Sequence, residues 1–268
     1  MKGYLSGLVV IGGKNLQAGR NIFVPVAEDS DHPDINFPLY VCFIMHYLQI
    51  IHKLYNLPED VNHGYDEAEI ALLERRLQVQ LPASLRQYYL SVGKNKMVND
   101  SFNRLTSLGE IGFSEDDHLV FYEENQAVVL WGIAKADLPA PNPPVYGTYD
   151  SARQEWFMDA DTTEHFLLSM AWWNGALGGL THTAFTDLEE DLTPERIAAV
   201  TANWQEQPGV SNQLLRFFTN DFEDILVFST EQNGQVNGVY AGTNRQEKYK
   251  AMLHTLQMEW CYRSDRDE

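Results

Sequence analysis

The sequence predicts an α+β fold, and three observations carry that expectation. Helical and strand patterns interleave irregularly and do not form repeated β-α-β units. Short stretches rich in β-branched and aromatic residues are separated by turn residues, with Asn233–Gly234 marking a hairpin. The helical stretches open on side chains that cap helix N-termini.

Taken in order, residues 1–44 hold weak strand patterns ("LVVI", "NIFVPV") around Gly-rich turns, then the polar loop "AEDSDHPDINFP". They are expected to be an accessory segment, either upstream sequence behind an early start codon or a real N-terminal hairpin. The main domain is expected to span 45–268, opening at Met45 with "MHYLQIIHKLYNLPEDV". Asp66 and Glu69 form a capping-box pair, and Ile70, Leu73, Leu77 and Leu81 recur at helical spacing. Pro82 ends that helix and opens "PASLRQYYLSVG", which Gly93 stops.

"HLVFYEE" and "AVVLWGI" read as strands joined by a turn at Asn125–Gln126, and "QEWFM" as a further strand after a Pro-rich loop. Thr162 or Thr163 begins "TEHFLLSMAWWNGAL", with Phe166, Met170, Trp173 and Leu177 on one face. Thr193 caps "TPERIAAVTANW", with Pro194 at its first position. Strands "LLRFFTND", "DILVFST" and "VNGVYAGT" follow. A last helix, "RQEKYKAMLHTLQMEWCY", aligns Tyr249, Met252, Leu256 and Trp260.

Charge narrows the function. Nineteen Lys and Arg face 38 Asp and Glu, a net charge of −19. Residues 1–44 contribute −1 of it (three cations against four carboxylates), so −18 belongs to the main domain. This balance argues against nucleic-acid binding and against adhesion to anionic membranes. It suits either plain solubility or a basic partner. Cys42 and Cys261 are too few for a disulfide framework or a zinc site and are expected to be buried, reduced thiols.

The N-terminal apolar run is broken by Ser6 and glycines, and Arg20 stands where a lipoprotein box needs Cys. The run 38–51 is too short and polar to span a bilayer. A cytoplasmic location is the expectation.

Motifs for catalysis or metal binding are not met. "IGGKN" lacks the first Gly of a phosphate loop, where Leu8 sits, and has Asn15 in place of the magnesium-binding hydroxyl. "DADTTEHF" lacks a calcium loop's Gly and closing Glu, where Met170 stands, so it is read as helix capping. His182 is read as a loop histidine, and no metal or cofactor is expected. Glu123 and Glu124 would point to opposite faces of a strand, which undermines a paired-carboxylate mechanism.

The order of several blocks resembles the SUKH superfamily, which includes the fungal cell-wall-synthesis regulator and many bacterial proteins. The blocks are "ALLERRLQVQLPASLRQYYLSVG", "NRLTSLGEI", "LVFYEENQAVVLWGI" followed by "NPPVY", "EWFMDADTTEHFLLSMAWW" and "ILVFSTEQNGQVNGVYAGT". Together they cover about Met45 to Trp260; residues 1–44 lie outside the resemblance. It implies a single α+β domain with a central, mainly antiparallel sheet flanked by helices, and no shared catalytic site. It also implies an immunity-type protein that neutralises a cognate toxin, such as a nuclease or deaminase, by stoichiometric binding. The alternative is a regulatory or scaffold module like the fungal member. Candidate partner-binding residues are Glu115, Asp116 and Asp117; Glu123 and Glu124; and Asp187, Glu189, Glu190 and Asp191. Asp221, Glu223 and Asp224 form a further acidic run.

Overall fold

The structure, a computed structural model, describes residues 47–149, 155–190 and 192–266. The segment 1–44, Cys42 and Asp191 lie outside these residues.

Helix α1 (47–55) buries Ile51, Leu54 and Tyr55, and the Tyr55 hydroxyl donates to the Ala171 carbonyl at 2.6 Å. Helix α2 (Glu67–Leu77) starts on the expected capping box, with the Asp66 amide donating to Glu69 at 2.8 Å. Helix α3 (Ala83–Val92) buries Leu85, Tyr88, Tyr89 and Val92, and a short α4 (Lys96–Asn99) follows.

The strands then divide between two sheets. The first contains β1 (Arg104–Leu105), β2 (Gly112–Phe113), β3 (His118–Glu123), β4 (Leu130–Ala134), β5 (Val145–Thr148) and β6 (Phe157–Ala160). Its order is β1-β3-β4-β5-β6, with β2 also paired to β3.

Helix α5 (Thr163–Asn174) follows, capped by the Thr162 side chain. Phe166, Leu167, Leu168, Met170, Ala171, Trp172 and Trp173 are all buried, so apolar residues ring the helix rather than striping one face. A helix of that kind belongs inside a protein. Phe166 meets Phe121, Tyr122 and Trp131 of the first sheet at 5.5–5.7 Å between ring centres. Trp172 and Trp173 meet Phe217 and Tyr240 of the second at 5.7 and 4.9 Å. The helix leaves through a widened turn, Gly175–Gly179, where Gly178 takes φ +117. A side chain on Gly179 would strike the Met97 carbonyl.

The second sheet holds β7 (His182–Thr186), β8 (Gln205–Glu206), β9 (Leu215–Thr219), β10 (Asp224–Thr230), β11 (Val236–Thr243) and β12 (Tyr262–Arg263), in the order β12-β7-β11-β10-β9-β8. All strand pairs in both sheets are antiparallel. Helices α6 (Pro194–Asn203) and α7 (Gln246–Leu256) cover the face of the second sheet away from α5, where Val200, Phe218, Phe228, Tyr249 and Met252 form a second core.

The fold is α+β, as expected. One central sheet flanked by helices gives way to two sheets with a buried helix between them.

Five local expectations also change. Helix α2, expected to run up to Pro82, ends at Leu77, because Gln78 turns left-handed at φ +57. The strand expected from Ala127 begins at Leu130, because Ala127 has φ +58 and belongs to the turn. The last helix ends at Leu256, where Gln257 turns left-handed at φ +49; Trp260 is still buried beyond it. His182 opens β7 and stacks on Tyr249 at 5.4 Å. Cys261 is exposed, not buried; its thiol donates to Asp187 at 3.2 Å.

Candidate protein-interaction surface

The expected acidic residues are divided between the two sheets. Glu115, Asp116 and Asp117 form the β2–β3 turn, and Glu123 and Glu124 lie at the other end of β3. Asp187, Glu189 and Glu190 follow β7 in the other sheet. The structure therefore separates them into two groups.

In the first group the carboxylates are largely occupied by the protein itself. Asp116 accepts from the Ser114 hydroxyl at 2.6 Å and from the Trp156 indole N–H. Burial disfavours its charge, but the hydrogen bonds from Ser114, its own backbone and Trp156 outweigh that and hold its pKa below the usual value. Trp156 stacks on His118 at 4.0 Å, fixing the turn. Asp117, at φ +60, pairs with Lys135 at 2.9 Å. Glu123 pairs with Arg104 at 2.9 Å. Glu115 is exposed on the rim of an open cleft of about 1150 Å³, which Glu123, Arg104, Lys94 and Lys96 also line.

Glu124 does not belong to a contact surface. It is 9% exposed, and its carboxylate accepts from the amides of Gln126 (2.8 Å) and Val128 (3.3 Å). It holds the turn "EENQAVV" in shape, and those bonds leave little of it for a partner.

Ser114, Asp116 and His118 have the composition of a nucleophile triad but not its geometry. The serine hydroxyl donates to the carboxylate, and the His118 ring lies 3.2 Å from the Asp116 carbonyl. Activating the serine would require the imidazole to accept its proton. Among the described residues no group of three or more His, Cys, Asp or Glu is placed to hold a metal ion.

The second group is different. Glu189 and Glu190 are exposed in a turn, and neither they nor Asp187 takes part in an ion pair among the described residues. Asp187 accepts only the weak Cys261 thiol bond among its described side-chain contacts. Beside it runs an aromatic series absent from the sequence reading. Tyr240 stacks on Phe185 at 5.8 Å, and Phe185 on Tyr262 at 5.7 Å. The alternation in "HTAFT" was the available signal for Phe185.

The run Asp221, Glu223, Asp224 is neutralised from α7. Lys248 lies 2.7 Å from Asp221 and 3.3 Å from Asp224, and Arg245 lies 3.0 Å from Glu223.

No family model, curated protein or solved structure matches the chain. Among the described residues, no helix is long and apolar enough to cross a membrane.

Proposed function

We propose that this chain is a non-catalytic binding protein of the immunity type, neutralising a toxin by stoichiometric occupation of a basic surface. The observation that carries this reading is the loop after β7, where Asp187, Glu189 and Glu190 are held out of every described ion pair. A net charge of −19 supports it, since complementary charge speeds encounter and selects partners. The block order resembling the SUKH superfamily supplies the toxin class, a nuclease or deaminase, and a cytoplasmic site of action.

The test is co-expression with a toxin gene found beside this one. The expected result is restored growth and a complex of fixed stoichiometry on size-exclusion chromatography. Protection by far less than one equivalent would point to turnover and remove the binding mechanism. Absence of protection would remove the assignment for that pair.

A second reading, a scaffold module with several partners, is favoured by one observation. The β6 edge of the first sheet exposes apolar side chains on both faces, Tyr149 (58% exposed) stacked on Phe157 on one and Met158 (65% exposed) on the other. Recovery of several unrelated partners, each lost with Met158→Asp, would favour that module.

A further inference from the structure

The register of the second sheet aligns one residue from each of five strands. Phe217, Val227, Tyr240, Phe185 and Tyr262 lie side by side across β9, β10, β11, β7 and β12. This row faces α5. Trp172 covers Phe217 and Trp173 covers Tyr240. Past Tyr240 the row emerges: Phe185 is half-buried, and Tyr262 is 38% exposed on the edge strand.

The rings are nearly parallel, at 25° between Tyr240 and Phe185 and 21° between Phe185 and Tyr262. Each ring covers a face of the next, so the face left to a partner is the outer one of Tyr262 on the edge strand. Asp187 is two residues beyond Phe185, and its charge is felt at the Tyr240 phenol, whose pKa is raised by burial first and then by Asp187. The nearby cation Arg263 is taken by Asp265 at 2.6 Å, so it does not neutralise Asp187; Arg266 is exposed.

We infer that Phe185, Tyr262 and Asp187 form a docking surface for a protein partner that presents arginine. A guanidinium is planar, stacks on aromatic faces and pairs with a carboxylate through two parallel N–H bonds. The outer ring face of Tyr262, beside a carboxylate that enters no ion pair among the described residues, matches both properties. Glu189 and Glu190 add the long-range attraction that brings such a partner in. An ammonium matches the charge alone. This inference rests on the binding-protein reading and specifies which surface does the binding.

The test uses the full chain with two probes, nona-arginine and nona-lysine peptides, titrated by calorimetry at physiological salt. The arginine peptide should bind about fivefold or more tightly than the lysine peptide, the scale of one stacked guanidinium. Tyr262→Leu keeps apolar bulk but removes the ring, and should abolish that preference; Tyr262→Phe should retain it. Asp187→Asn should weaken the arginine peptide about fivefold or more, whereas Asp117→Asn on the first sheet should change nothing. Equal affinity for the two peptides, or equal loss from Asp187→Asn and Asp117→Asn, overturns the surface.

Growth protection separates this inference from the function beneath it. Full protection and undiminished toxin affinity in a Tyr262→Leu/Asp187→Asn double variant would overturn the surface and leave the immunity reading standing. Arginine-selective binding without protection by the unmodified chain would support the surface and remove the immunity reading.

Discussion

Both sheets have six antiparallel strands and share helix α5, yet they are covered differently. The second sheet has α5 on one face and α6 with α7 on the other. Its strand β10 accordingly buries Ile225, Leu226, Val227 and Phe228 completely, with no polar alternation. Continuous apolar runs are usual in parallel sheets covered on both sides, and here double coverage produces one in an antiparallel sheet. The first sheet packs one face on α5 and leaves the other partly open. Leu119 and Ile133 are fully buried, whereas Val120 and Leu130 line the open cleft. The acids invert this order. Those of the open sheet are mostly bonded internally, while the doubly covered sheet carries at its end the loop Asp187–Glu190, which enters no ion pair among the described residues. Coverage and the pairing of the acids are thus set by different features: helices decide the first, and neighbouring cations decide the second.

Core truncations give the largest contrast. Phe217→Ala and Phe228→Ala lie on opposite faces of the second sheet, both fully buried, and each should cost about 3–5 kcal/mol. In the first sheet Trp131→Ala should cost about as much, because it opens a cavity beside Phe166 and strips Asp159 of its 2.5 Å indole bond. Val120→Ala, on the open face, should cost under about 1 kcal/mol. Urea denaturation of the four variants measures this. A Val120 penalty equal to that of Trp131 would show the first sheet to be covered on both sides.

Glu164 comes next, in the first turn of the shared helix and 1% exposed. Burial raises its pKa from 4.5 to about 7, against smaller opposing effects of His165 and Asn142. The unfolded chain releases this proton near 4.5, so between 4.5 and 7 the folded state binds more protons. This group therefore stabilises most at low pH, loses that contribution as pH rises through the window, and changes nothing further above it. Glu164→Gln should stabilise the protein at pH 8, by up to roughly 3 kcal/mol, and give no gain at pH 4.5. Thermal melts across pH 4.5–8 are the measurement, and a pH-independent effect would refute the shift.

The turn of the open sheet should be more costly to disturb than its ion pairs. Glu124→Ala removes a carboxylate from two turn amides and should cost about 1–3 kcal/mol, whereas Glu123→Ala, which loses one half-exposed pair with Arg104, should cost under about 1 kcal/mol. Equal penalties would mean that the turn is held by something other than Glu124.

Much of this architecture was legible in the sequence because it is local. The Asp66–Glu69 box, the Thr193–Pro194 start and the Asn233–Gly234 turn each depend on a few neighbouring residues, and each is present. The all-round burial of α5 was also written in the chain, since Leu167, Leu168 and Trp172 complete the circle begun by Phe166 and Met170. The division into two sheets was not legible. It depends on β7 pairing with β11 and β12, strands far along the chain, and no local pattern states that. The same limit hid the candidate surface. Phe185 and Tyr262 become neighbours only through the β7–β12 pairing, and adjacent glutamates look alike until one of them folds into a turn.

The smallest effect on stability should come from the residues of the proposed binding surface. Asp187→Asn, Glu189→Gln and Glu190→Gln together remove no described ion pair, so stability should change by no more than about 0.5 kcal/mol. Asp117→Asn, which loses an exposed pair with Lys135, should cost about as little. The two variants should part in association kinetics with a neutralised toxin. Steering by exposed charge acts before contact and is screened by salt, so the triple variant should bind more slowly and with a shallower dependence on ionic strength. Its dissociation should also quicken, because Asp187 is the carboxylate proposed to hold the guanidinium directly. Asp117→Asn should leave the association rate nearly unchanged, because its turn belongs to the other sheet, outside the proposed surface. Stopped-flow association at several salt concentrations measures both. A slower rate in Asp117→Asn with none in the triple variant would move the binding surface to the open sheet and reverse the comparison.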